Sequence, residues 1–190
     1  MKYLYLYLNL ILPFALLTLF ACTNEQGTAQ NNHLTPEYHM EMLESITYQD
    51  ALNDNDDVKK VERSEEEWRQ LLQSDEYRIL RNKGTEMPYI NEYDGFYEDG
   101  IYLCRGCGNP LYHSDTKYNS RSGWPSFWDP IRPGAVDEKE DKSLFMTRTE
   151  IICARCDSHI GHVFNDGPDP TGLRYCMNSK ALKFIPKENK

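Results

Sequence analysis

The sequence offers no basic stripe for a polyanion: 21 Lys and Arg stand against 30 Asp and Glu, a formal net charge of -9, so no nucleic-acid partner is expected. It has no apolar run near the 20 or so residues that a membrane-spanning helix needs. It also has no internal repeat apart from one doubled cysteine pattern, which excludes a solenoid or a propeller. What remains is 190 residues, 39% of them apolar, enough for one cored domain with extensions; a monomer is expected.

The N-terminus carries Lys2 and then an apolar stretch from Leu10 to Ala21, interrupted by Pro13 and Thr18. So short an apolar core, ending in a small residue, reads as an export signal over residues 1–21. Cys22 directly follows Ala21, so the segment resembles a bacterial lipoprotein signal in which Cys22 becomes the lipidated first residue. An ordinary secretion signal or a signal anchor with an incidental cysteine is the alternative. The lipoprotein reading implies an exported protein tethered to a membrane by its lipid and facing the periplasm, with the choice of membrane, outer membrane included, left open. Residues 22–63 read as the tether and an acidic linker: Thr23 to Leu34 is polar and aperiodic, and Thr35 to Lys60 is acidic, with room for a short peripheral helix.

Six cysteines in an exported chain suggest disulfides, but their spacing points elsewhere. Cys104 and Cys107, then Cys153 and Cys156, form two C-x-x-C turns. Each turn can offer two thiolates to one ion, and two turns complete the closed four-sulfur tetrahedron that structural zinc accepts. Two disulfides, or a redox C-x-x-C, are the competing readings. Setting Cys22 and these four aside leaves Cys176 alone.

From residue 64 to 187 the sequence reads as one domain of mainly β, α+β character, with antiparallel strands and N-terminal helices. Ser64 and Glu67 make a capping box ahead of Trp68, Leu71 and Leu72, and a second short helix is expected after Ser74-Asp75, with Gly84 as its end. Strands are expected at Ile101 to Leu103, Leu144 to Cys153, His162 to Phe164, Leu173 to Asn178 and Leu182 to Ile185, with Asn119 to Pro133 as a long ordered loop.

In a strand, Arg174, Cys176 and Asn178 share a face while Tyr175 and Met177 face packing. A guanidinium beside a thiol favours the thiolate, which is the attacking form; a buried structural cysteine is the bland reading. His159 and His162 could deliver a proton near neutral pH, as the short stretch from Gly167 to Leu173 can fold the His162 strand beside Cys176. Either could equally be a satisfied core histidine or, least in keeping with a full four-sulfur site, a metal ligand. Trp124 and Trp128 bracket a loop whose aromatic faces could hold a sulfur-bonded methyl group or could simply anchor the loop.

Seven phrases occur in one order: Cys104-x-x-Cys107; Gly123-Trp124-Pro125-Ser126-Phe127; Arg148-Thr149-Glu150; Cys153-x-x-Cys156; Ser158-His159-Ile160-Gly161-His162-Val163-Phe164; Asp166-Gly167-Pro168; and Arg174-Tyr175-Cys176-Met177-Asn178. Over about Ser64 to Lys187 the chain therefore resembles the B class of methionine sulfoxide reductases. The resemblance implies two antiparallel sheets packed with peripheral helices, and one Zn2+ held by Cys104, Cys107, Cys153 and Cys156 as a structural staple. It implies Cys176 as the nucleophile, Arg174 favouring its thiolate, His162 assisted by His159 protonating the sulfoxide oxygen, Asn178 hydrogen-bonding in the site and Trp124 holding the S-methyl group. The substrate would be a methionine-R-sulfoxide in an oxidised protein or peptide, and the products methionine and a Cys176 sulfenic acid. Many members of that class carry a resolving cysteine just before the Gly-Trp-Pro phrase, where this chain has Ser122. A thioredoxin-like protein or a small thiol is then expected to reduce Cys176 directly. The alternatives are a zinc-stapled binding module with a silent Cys176, and an enzyme whose zinc is itself catalytic.

Overall fold

The computed structural model describes residues 35–54, 59–143 and 146–188. The expected export signal, Cys22 and the tether as far as Leu34 lie outside the described residues. The acidic linker, in which one short peripheral helix is expected, holds two helices between Pro36 and Asn53.

Helix α1, Pro36–Glu44, starts where the Thr35 side chain accepts the Tyr38 amide, with proline in its first turn; α2, Tyr48–Asn53, has a complete capping box between Thr47 and Asp50. Their apolar residues Leu43 and Ala51 are buried, and two polar links and one apolar contact fasten the pair to the cysteine turns. His39 Nε2 donates to the Arg105 carbonyl at 2.8 Å, Arg155 grips both Asp54 oxygens at 2.9 and 3.0 Å, and Ile46 packs so closely on Gly108 that a Cβ there would strike it. Scattered apolar residues in an acidic stretch thus mark a docked helical pair, because each helix needs only one or two buried side chains to seat it.

Helix α3, Glu65–Leu71, opens with the Ser64/Glu67 box that the sequence announces, and Trp68 and Leu71 are buried. Helix α4, Ser74–Leu80, ends at Arg81 rather than at Gly84, although the Gly84 amide still bonds back to the Arg78 carbonyl.

Two antiparallel sheets follow. The smaller has the order β2-β1-β9, with β1 at Gly100–Cys104, β2 at Pro110–His113 and β9 at Leu182–Pro186. The larger has the order β3-β4-β8-β7-β6-β5, built from β3 Lys117–Tyr118, β4 Ser126–Phe127, β5 Val136–Asp141, β6 Arg148–Cys153, β7 His159–Phe164 and β8 Arg174–Met177. Aromatic side chains fill the core, Tyr112 stacking on Phe127 at 4.4 Å and Tyr102 meeting the same ring edge-on at 5.0 Å.

The strands depart from expectation in several places. The stretch read as a loop from Asn119 to Pro133 contributes β4, and β6 begins at Arg148 rather than at Leu144, which is outside the described residues. Strand β5, with the sequence VDEKED, has no apolar alternation to announce it. It is the charged edge of the larger sheet, where charge discourages pairing with another chain.

Candidate active site and cysteine cluster

Strand β8 lies between β4 and β7, and its register sets Cys176 directly opposite Ser126 on one side and His162 on the other. Directly opposed residues of antiparallel strands point to the same face with Cβ atoms about 5 Å apart. The same row continues through Glu150 on β6 to Lys139 on β5. A thiol, an imidazole, a carboxylate and an ammonium therefore share one face of the sheet. Tyr175 and Met177 turn into the core, as their alternation with Cys176 requires.

Cys176 is partly exposed and lines a cavity of about 110 Å³ together with Thr85, Trp124, Arg148, His162 and Phe164. Its Sγ lies 3.8 Å from Ser122 Oγ. Burial pushes the Cys176 thiol up, and the opposing pulls of Ser122, Arg174 and Ser126 do not overcome it. The thiolate expected from Arg174 alone is therefore not the resting form: the guanidinium acts in the expected direction, but desolvation is larger. Arg174 is itself held, forked onto both Asp166 oxygens at 2.8 and 2.9 Å and lying over the Phe164 ring at 4.3 Å.

Each histidine is oriented by a carboxylate. His162 Nε2 is 2.9 Å from Asp141 Oδ2, which also receives Arg148 at 2.7 Å. The His162 bond, with those of Ser143 and Arg148, holds the Asp141 carboxyl well below the usual carboxylate range. An ionised carboxylate only accepts, so the proton sits on Nε2 and Nδ1 of His162 keeps its lone pair. His159 is set the same way by its other nitrogen: Nδ1 donates to Glu150 Oε1 at 2.8 Å, while Nε2 is buried without a hydrogen-bond partner. Burial lowers both imidazoles below their ordinary value of 6.5, so both are neutral at pH 7. Glu150, only 1% exposed, also takes Lys83 Nζ at 2.6 Å. Burial opposes its charge, but the Lys83 and His159 bonds prevail and keep the carboxyl below the usual range. With His159 neutral, Lys83 supplies the positive charge there.

His159 stands behind His162, ring centroids 5.3 Å apart, and opens onto a separate cavity of about 200 Å³ shared with Lys83, Arg81 and Glu150. Trp124 lines the Cys176 cavity, its indole fixed by Nε1 donating to the Glu86 carbonyl at 3.2 Å. Asn178 lies at the cavity wall, but its amide is spent on backbone: Nδ2 donates to the Ile160 carbonyl at 3.1 Å and Oδ1 accepts the Glu86 amide at 3.1 Å. Sequence reading missed Asp141, Lys83 and Glu86, and quoted Glu150 in a motif without giving it a role. One signal was present, since an acidic residue followed by Ile151-Ile152 in a strand pattern is a charge that cannot be buried alone.

At the ends of β1 and β6 the two C-x-x-C turns converge, and all four sulfurs lie within 4.8 Å of one another. The separations are 3.7 Å for Cys104 to Cys156 and 3.6 Å for Cys107 to Cys153. A tetrahedron with metal–sulfur bonds of about 2.3 Å has edges of about 3.8 Å, so the thiols fit a four-sulfur metal site. The turns are twins: the fifth residue of each, Gly108 at φ 76° and Asp157 at φ 57°, is left-handed, and its amide returns to the first cysteine's carbonyl at 2.8 and 2.9 Å. The three neighbouring sulfurs hold Cys104 well above an ordinary thiol and Cys156 well below one, the charge strain that a bound cation relieves. None of these four lines the Cys176 cavity, and all five described cysteines are free.

A SelR domain matches residues 72–186, which takes in both sheets, both cysteine turns and the Cys176–His162 pair. The peptide methionine sulfoxide reductase MsrB of Hahella chejuensis is 53% identical over 127 residues, 67% of this chain and 91% of that protein. The enzyme of the same name in Leptospira interrogans is 54% identical over 125 residues, 66% of this chain and 95% of its own, and that of Methanosarcina barkeri 52% over 130, 68% and 92%. The chain belongs to the MsrB family. Two antiparallel sheets, few helices and a clustered cysteine quartet are this MsrB chain's architecture. About a third of the chain lies outside the segment aligned with these MsrB relatives, and α1 and α2 precede the matched domain.

Proposed function

We propose that the protein reduces methionine-R-sulfoxide in oxidised proteins to methionine, with Cys176 as nucleophile. The observation that carries this reading is the direct pairing of Cys176 with His162 across β7 and β8, inside a cavity walled by Trp124. The S-methyl group rests on the fixed indole. Cys176 passes its proton to the bare Nδ1 of His162, and the thiolate attacks the sulfoxide sulfur. The imidazolium gives the proton back to the oxygen, which ends on Cys176 as a sulfenic acid while methionine departs. The substrate sulfur gains two electrons and the cysteine sulfur loses two. A thiol that must lose its proton to the very base that later returns it has no need to be ionised at rest. His159 backs His162, and Arg174 favours the developing thiolate.

Ser122 cannot form a disulfide, so the sulfenic acid is resolved from outside. A thioredoxin-like protein or a small thiol condenses with it, releasing water, and a second thiol frees Cys176. Zinc is the metal that the four-sulfur cluster suits; when bound it ties the two turns together and takes no part in the chemistry. Residues 1–21 and Cys22 support export and lipid anchoring toward the periplasm, with the outer membrane as one destination.

The test offers separated R and S epimers of a methionine sulfoxide peptide to the wild type and to Cys176→Ser. Turnover of R alone, lost in the variant, is expected. Turnover of S, or activity surviving in the variant, contradicts the reading.

A further inference from the structure

The loop from Thr85 to Asn91 is more heavily anchored than its sequence requires. The Glu86 carboxylate accepts the Ser179 and Lys180 amides, its own amide bonds Asn178, and its carbonyl holds the Trp124 indole. Tyr89 exchanges bonds with the opposite loop, its amide to the Gly123 carbonyl at 2.8 Å and its hydroxyl to the Arg121 carbonyl at 2.8 Å. Asn91 adds a third link, to the Gly123 carbonyl at 2.7 Å. The two loops approach so closely that a Cβ on Gly123 would meet Pro88 at 2.7 Å.

What this anchoring holds in place is apolar and wet. Met87, Tyr89 and Ile90 are 68%, 67% and 80% exposed, and Tyr89 sits at φ 62°, a backbone region that side chains other than glycine seldom enter. Apolar groups grouped on one short loop and kept in water by a strained, multiply bonded backbone mark a surface built for a partner. The loop begins at Thr85, which lines the Cys176 cavity, and holds Trp124, which lines it too. One short loop therefore carries the patch and also supplies part of the wall of the site.

We propose that Met87, Tyr89 and Ile90 form a subsite for the apolar residues flanking an oxidised methionine, so that the enzyme selects sulfoxides in exposed apolar segments of polypeptide. The inference rests on the function proposed above and adds its substrate class. Its chemical basis is what travels with the lesion. Methionine is mostly an interior residue, and its oxidation disrupts the core around it, so the chain brought to the enzyme presents formerly buried apolar neighbours. Burying them against three preordered side chains removes apolar area from water at little ordering cost.

The test measures kcat and KM, at a fixed saturating dithiol, on three substrates: a methionine-R-sulfoxide peptide with leucine and valine neighbours, one with serine and glycine neighbours, and N-acetyl-methionine-R-sulfoxide. The wild type is expected to favour the apolar peptide about tenfold in kcat/KM. Met87→Ser/Ile90→Ser, two exposed changes outside the catalytic row, should abolish that preference through KM and leave the acetylated amino acid unaffected. Equal use of all three substrates by the wild type overturns the inference alone. So does a variant that loses activity on every substrate alike. A wild type inactive on all three overturns the catalytic reading itself, a distinct result.

Discussion

Ser122 places a hydroxyl 3.8 Å from the Cys176 sulfur, so a sulfur in its place would need a shift of about 2 Å to reach the disulfide length of about 2 Å. Ser122→Cys should therefore convert the protein to one that closes an internal disulfide: one equivalent of R-sulfoxide, without reductant, should cost two free thiols by titration. Persistence of a reactive sulfenic acid in that variant would mean the two side chains cannot meet. Glu150 is the second residue to probe. The proposed chemistry needs His162 neutral, and burial lowers its pKa, so kcat/KM should fall with acid only below pH 6.5. Glu150 raises both imidazole pKa values. Glu150→Gln should then move that acid limb to still lower pH while reducing kcat about tenfold, a fraction of what a positioned acid–base group contributes. An unmoved limb would leave Glu150 a purely structural residue. Cys176, His162 and Trp124 were legible because each stands in a distinctive phrase. Glu150 stands in such a phrase too, but its role was not legible, nor were Lys83 and Asp141, since Lys83 reaches Glu150 across 67 residues and Asp141 reaches His162 across 21. Nor could the sequence show that burial outweighs Arg174 at the thiol.

Strand pairing is the element that makes the site. Gly161 faces Met177 across β7 and β8, and a Cβ there would collide with the Cys176 carbonyl and the Met177 backbone. Gly161→Ala should separate the strands at the nucleophile, lowering stability by about 1–3 kcal/mol and activity more than proportionately. Gly95→Ala, where a Cβ meets nothing within 4 Å, should leave both near wild type. Thermal melts beside kcat/KM decide this, and equal behaviour of the two variants would contradict it. The helix starts at Ser64 and Ser74 could be read because caps and apolar stripes are local signals. Strands β4 and β5 could not: β4 is two residues long, and β5 is charged at every position after Val136.

At the scale of the whole molecule, two fastenings set the framework. The cysteine turns join the end of the small sheet to that of the large one, and α1 and α2 are seated on those turns by His39, Asp54 and Leu43. The C-x-x-C doubling made the first visible in the sequence; the second depends on tertiary contacts that an acidic, weakly periodic stretch does not advertise. Cys153→Ser, or chelation at mild temperature, should lower Tm by more than about 10 °C, because structural metal binding is folding free energy. Loss of activity with Tm unchanged would instead make the metal catalytic.

The most direct test of the central claim is a single turnover with the R epimer in the absence of any thiol, read by intact mass and dimedone trapping. One methionine should form per protein, with one oxygen atom gained and the adduct mapped to Cys176. A product formed without oxygen on Cys176, or a disulfide running from Cys176 to one of the four clustered cysteines, would contradict the account.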